Sequence, residues 1–152
     1  MSFIIRLRPA HLPDSVDTPK CWLTLPCADR EDIERLAEEL GMETLPRDSL
    51  HINAVHPRDY HPLATLGNRF ELRELNLLAR LMEDMEPGVL HAYLSRAHQM
   101  DGNVGRMIDE AWEAAAGAPA PAAPYTPQLL ERYLTDYATG RGPDQGPAMA
   151  QL

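Results

Sequence analysis

Several things that would settle a function quickly are missing from these 152 residues. No apolar run approaches the roughly 18 residues needed to cross a bilayer. The start, MSFIIRLRPAHLPD, lacks both the apolar core and the small-residue cleavage site of a secretion signal. A cytoplasmic protein is expected, with no membrane partner. Cysteine is scarce: Cys21 and Cys27 flank one predicted strand. Along a regular strand they lie roughly 20 Å apart, well beyond disulfide reach, and are expected as core or edge thiols. The phosphate-binding loop GxxxxGK[ST], the nucleophile elbow GxSxG, the zinc motif HExxH, the CxxC pair and the calcium loop are all absent. Lysine occurs once, at Lys20, among 14 basic residues, which reads as a coding bias as readily as a choice.

Acid is plentiful. Asp and Glu number 23 against 14 Lys and Arg, giving a net charge of −9. Such a chain repels nucleic acid and anionic membrane at long range, so no direct nucleic-acid binding is expected and the partner should be neutral or basic. The charge is uneven, +1 over residues 1–27, −5 over 28–48, −4 over 49–116 and −1 over 117–152. Most of it falls on predicted helices.

Periodicity divides the chain into an α+β fold: a small antiparallel sheet with one acidic helix, followed by a three-helix bundle-like region. FIIRLR, CWLTLP and SLHINAV alternate as half-buried strands. In the third, Leu50, Ile52 and Ala54 share one face, and His51, Asn53 and Val55 the other. PAHLPDSVDTPK, with three prolines, predicts a long loop between the first two strands. In ADREDIERLAEELG, Ile33, Leu36, Ala37 and Leu40 fall at helical spacing. Asp29 can cap that helix and Gly41 can close it. From residue 71 the period stays helical. The stripe in FELRELNLLARLMEDM is wide enough to imply burial on more than one side. Pro87 opens the next helix, and Asp101 or Asn103 caps a third. The expected units are a 1–60 α+β domain, a 61–117 helical domain, a 118–126 Ala/Pro linker, a 127–139 short helix and a 140–152 disordered tail. Trp22, Ile33, Leu36, Leu75, Leu78, Tyr93, Ile108 and Trp112 are the expected core.

Chemistry has few candidates. His51, His56 and His61 recur every five residues, but the spacing fits no common zinc pattern, and on a regular strand His51 and His56 point to opposite faces. Loop and edge histidines are the plainer reading, and no metal or cofactor is expected. A catalytic carboxylate pair needs a cleft that drives two pKa values apart, whereas acids on an amphipathic surface helix face water. The chain is read as a non-enzyme.

The carboxylates remain, as a solvated face or as a surface that imitates DNA. A helix from Asp29 to Glu39 spans about 15 Å and carries a net −4. That is roughly one charge per 4 Å, against a phosphate about every 3.4 Å along one DNA strand. Composition permits mimicry without establishing it.

Several stretches, in order, resemble the ArdA-type antirestriction proteins and their relatives on conjugative elements and phages. CWLTLP resembles that family's Trp-containing strand ending in Leu-Pro, and DREDIERLAEELGM its acidic helix. LGNRFELRELNLLARLMEDM is similar to its Glu-Leu-Asn-x-Leu-Ala helix, here Glu74 to Ala79, and VLHAYLSRAHQMDGNVGRMIDEAW to the following helix pair. The likeness covers about residues 20–115. The strand after the acidic helix departs from the pattern by ending INAVHP, and an Ala-Pro linker and tail replace the family's last domain. Relatives dimerise partly through that later region, so a homodimer stays open.

The resemblance implies an acidic DNA mimic that inhibits a type I restriction-modification complex by occupying its basic DNA-binding channel. Asp29, Glu31, Asp32, Glu34, Glu38, Glu39, Glu71, Glu74, Glu83, Asp84 and Glu86 are assigned to the mimic surface. Asn76 is read as a structural residue bonded to nearby backbone in preference to a partner contact. The alternatives are an inhibitor of a CRISPR effector, a non-mimic interaction module using the 126–138 helix, and a metal-dependent hydrolase built on the three histidines.

Overall fold

The computed structural model describes residues 3–27 and 30–116. The expected linker, short helix and tail, and Asp29, lie outside that range. The fold is the expected α+β arrangement. Strands β1 (Phe3–Pro9), β2 (Cys21–Leu25) and β3 (Leu50–His56) form an antiparallel sheet in the order β2-β1-β3. Helix α1 (Arg30–Glu39) lies between β2 and β3 in sequence. Helices α2 (Leu72–Glu83), α3 (Pro87–Ala97) and α4 (Val104–Ala116) follow.

The sheet buries one face. Phe3, Ile5 and Leu7 of β1 and Cys21, Leu23 and Leu25 of β2 point inward, the period-2 consequence of a pleated strand with one wet side. Trp22, expected in the core, is on the other side and 42% exposed. A five-residue strand with Cys, Leu, Leu on one face and Trp, Thr on the other buries the three residues that fit beneath the helices. The indole is left to pack against Arg6 and His56.

In β3 the simple alternation fails after Ile52. Arg6 pairs with Ala54 while Leu7 pairs with Ile52, so Asn53 is an extra residue, a β-bulge. Its side-chain Oδ1 accepts a bond from Arg8 Nε at 2.8 Å. The bulge shifts the phase, so Val55 is buried in place of Ala54. It also brings His51 and His56, expected on opposite faces, onto the same outer face.

The sequence reading placed no element between β3 and α2. That stretch holds a 3-10 helix, Arg58–Leu66, which buries Tyr60, Leu63 and Leu66. Tyr60 stacks on Phe3 with ring centroids 4.9 Å apart. The helix straddles the expected boundary at residue 60, and one continuous core runs from Phe3 through Trp112. Of the other expected core residues, Leu36, Leu75, Leu78, Tyr93, Ile108 and Trp112 are buried, and Ile33 is half-buried against them.

Helix ends follow their local chemistry. Gly41 at φ +69° closes α1, with Gly41 N–H donating to Glu38 O at 3.1 Å and Met42 N–H to Ala37 O at 2.9 Å. That bond pair is the Schellman arrangement, which a left-handed glycine makes without Cβ strain. Between the two caps offered for α4, Asn103 serves: its Oδ1 accepts from Arg106 N–H at 3.1 Å. Asp101 instead turns the chain at φ 55°. Helix α4 packs on α2 and α3, and Tyr93 of α3 donates its hydroxyl to Met107 O at 2.7 Å.

Candidate interaction surface

Five carboxylates stand on α1 with two arginines, leaving −3 over Arg30–Glu39. Leu36 is buried and Ile33 half-buried, which turns Glu31, Glu34 and Glu38 outward. These three fall at i, i+3 and i+7 and form one stripe with a rise of about 10 Å. Consecutive carboxylates are thus about 5 Å apart along the axis, looser than the roughly 3.4 Å between phosphates of a DNA strand. The arginines temper the stripe. Arg30 Nε lies 3.1 Å from Glu34 Oε1, and Arg35 Nη2 is 3.3 Å from Asp32 Oδ1.

The other two α1 acids are tied to the body of the protein. Cys21 Sγ donates to Glu39 Oε2 at 2.7 Å, and Cys27 Sγ to Asp32 Oδ2 at 3.6 Å. The first residue of β2 therefore meets the last turn of α1, and Cys27, two residues past the end of β2, meets its first turn, so helix and strand run antiparallel. Burial first, and then the Glu39 carboxylate, push the Cys21 thiol up to about 11. A thiol held protonated is a poor nucleophile. Both cysteines are buried and reduced, as their separation required.

Asn76 fixes where α1 begins. Its Oδ1 accepts from Cys27 N–H at 2.6 Å, and its Nδ2 donates to Cys27 O at 2.6 Å. The side-chain amide thus pairs with both polar groups of one residue's backbone, the structural role expected of it. Cys27 has just left the cis Leu25–Pro26 bond and lies three residues before α1. Asn76 satisfies a buried donor and a buried acceptor that would otherwise each cost about 1–3 kcal/mol.

The α2 acids depart from the expected surface. Glu74 is 2% exposed. It makes an ion pair with Arg47 and accepts a bond from Glu71 N–H at 2.9 Å. With the Glu71 side chain bonded in turn to the backbone at Glu74, the pair forms a capping box. Burial raises the Glu74 carboxyl above its ordinary value, against the lowering effects of the Glu71 backbone bond and Arg47. Glu74 is a support inside the protein and no part of a surface, and half-buried Glu71 is occupied as its partner. The cause is the breadth of the α2 apolar stripe: helix and strand neighbours cover almost its whole circumference. Glu83, Asp84 and Glu86 are exposed and come together at the turn from α2 into α3.

Of the assigned surface, then, α1 gathers Glu31, Asp32, Glu34, Glu38 and Glu39, and the α2–α3 turn gathers Glu83, Asp84 and Glu86. Sequence reasoning missed the two thiol–carboxylate bonds and the Arg47–Glu74 pair. Only the sheer width of the α2 stripe hinted that Glu74 would be enclosed.

Among the described residues no three His, Cys, Asp or Glu side chains are placed to hold a metal ion. None of the described helices is long and apolar enough to cross a membrane. Searches against family models, curated proteins and solved structures return no match for this chain.

Proposed function

We propose that this protein is an antirestriction inhibitor that presents α1 to the basic DNA-binding channel of a type I restriction-modification complex and excludes DNA by competition. No turnover is involved. The observation that carries the reading is the Glu31, Glu34, Glu38 stripe, held on a helix pinned at both ends by Asn76, Cys27 and Cys21. Carboxylates fixed in advance lose little freedom on entering a cationic groove, and complementary charge speeds encounter. The ArdA-type resemblance of residues 20–115 supports the same reading, because an acidic helix on a small sheet followed by helices is the architecture it implies. The α2–α3 turn supplies a second anionic cluster.

The test is competition with duplex DNA for a purified type I complex, read by displacement of labelled DNA. The wild-type protein should displace DNA less effectively as salt rises. The triple variant Glu31→Lys, Glu34→Lys, Glu38→Lys should lose displacement by about tenfold or more. Undiminished competition by that variant removes α1 as the contact. A CRISPR effector also has a basic nucleic-acid channel, and the same variant distinguishes α1-dependent from α1-independent inhibition there. Truncation of residues 118–152 should leave displacement largely intact; its loss would favour an interaction module acting through the 126–138 segment.

A further inference from the structure

Two unpaired features sit on the outer side of the sheet, and each is what the other lacks. The first is Trp22, 42% exposed, with the Arg6 guanidinium 5.7 Å from its ring centroid and the His56 ring 5.3 Å away. Among the described residues, no carboxylate lies within ion-pair distance of Arg6. The second is Val16 at the crest of the β1–β2 loop, 98% exposed. Beside it is the exposed carboxylate of Asp17, which no described cation pairs with.

That loop is braced. Thr18 donates to Pro13 O and shares a 3.1 Å contact with the Ser15 hydroxyl, and Lys20 donates to Ser15 O at 2.8 Å and pairs with Asp14 at 3.3 Å. Arg8 of the sheet's outer face donates to Leu12 O at 2.7 Å and to Asn53, whose Nδ2 reaches Asp14 at 3.5 Å. The Val16 crest is therefore fixed on the side of the sheet that carries Arg6 and Trp22. A branched apolar side chain held nearly fully in water by so many bonds gains nothing within its own chain.

We infer that the outer sheet face is a self-association surface: the Val16 crest of one copy seats on Trp22 of a second copy, with Asp17 meeting Arg6. Both halves belong to one chain, so a two-fold axis makes the contact twice, as isologous dimers require. The chemistry suits an interface core, since Trp and Arg are the side chains most often found at binding hot spots. Charge complementarity selects the occupant, a carboxylate next to an apolar tip for a guanidinium next to an indole. Long-range repulsion between two −9 chains is screened beyond about 8 Å at physiological salt. The inference does not depend on the inhibitor reading, because α1 packs against β2 and bonds to Cys21, on the strand face opposite Trp22.

Sedimentation equilibrium of the full chain at physiological salt, from about 1 to about 100 µM, tests it in the range of a micromolar dimer. A reversible dimer is expected. Val16→Asp and Arg6→Asp should each weaken association by about tenfold or more, and Asp17→Arg added to Arg6→Asp should restore it. Arg6, Val16 and Asp17 are all exposed, and circular dichroism checks that each variant keeps the fold. Trp112 is buried, so emission from Trp22 gives a second readout: a concentration-dependent blue shift, lost in Val16→Asp. A wild-type monomer throughout that range, a dimer indifferent to Val16→Asp, or failure of the charge exchange to restore pairing would overturn the inference.

Discussion

Helices α1 and α2 both begin with glutamate-rich sequence, yet they use it in opposite ways. On α1, one flank rests on the sheet and the carboxylates of Glu31, Glu34 and Glu38 stand in water. On α2, nine of twelve residues are buried and Glu74 is among them. The difference lies in the width of the apolar stripe beneath the acids. Ile33, Leu36 and Ala37 make a narrow seam that leaves the rest of α1 wet. Leu72, Leu75, Leu77, Leu78, Leu81 and Met82 wrap most of α2, so any acid there must find an internal partner. An acidic residue is thus a surface residue only where its helix has a free side.

The sharpest way to break this contrast is at Asn76, where α2 grips the start of α1. Replacement by leucine keeps the volume roughly similar but strands the N–H and C=O of Cys27. Asn76→Leu should destabilise the protein by about 2–4 kcal/mol, measured by urea denaturation. A loss under about 1 kcal/mol would mean that water reaches Cys27 and that α2 does not set the position of α1.

That clamp also marks how far the sequence could be read. The sheet, the helices and their caps follow from period and from Gly41, Pro87 and Asn103, whose backbone roles are local. Asn76 was readable as structural because a lone amide in a leucine-rich stripe needs a backbone partner. Trp22 and Glu74 were not legible, because their burial depends on neighbours distant in the chain. Trp22 lies on a strand whose two faces are both apolar enough to bury. Glu74 is enclosed by the neighbours that cover α2, and its ion-pair partner, Arg47, comes from 27 positions earlier. The β3 bulge was hidden for the same reason, since a single extra residue shows only against a partner strand.

Glu74 sharpens the contrast through pH. Its carboxyl titrates above the ordinary value in the folded state because of burial, so in the window just above the normal glutamate pKa, about 4.3, the folded protein holds a proton that the unfolded chain has released. Folding stability contributed by this group therefore falls as pH rises through that window. In Glu74→Gln that fall should vanish. Neutral-pH stability should change by about 1 kcal/mol, since Arg47 is half-exposed and can rehydrate. Urea midpoints at pH 4 to 7 give the measurement. A wild-type profile parallel to the variant's would show Arg47 and the Glu71 backbone bond balancing burial, and one that rises with pH would show them prevailing.

The smallest effect belongs to the wet side. Glu34 pairs with Arg30 at i, i+4, with both side chains mostly exposed. Holding two long side chains together in water offsets most of the Coulomb gain, and Glu34→Ala should cost only about 0.3–0.5 kcal/mol, less at high salt. The measurement is urea denaturation at low and high ionic strength. A cost near that of Asn76→Leu would mean that Glu34 is held by the body of the protein, and α1 would then resemble α2. A near-zero cost leaves the side chain free to exchange Arg30 for a cation on another molecule, as a recognition surface requires.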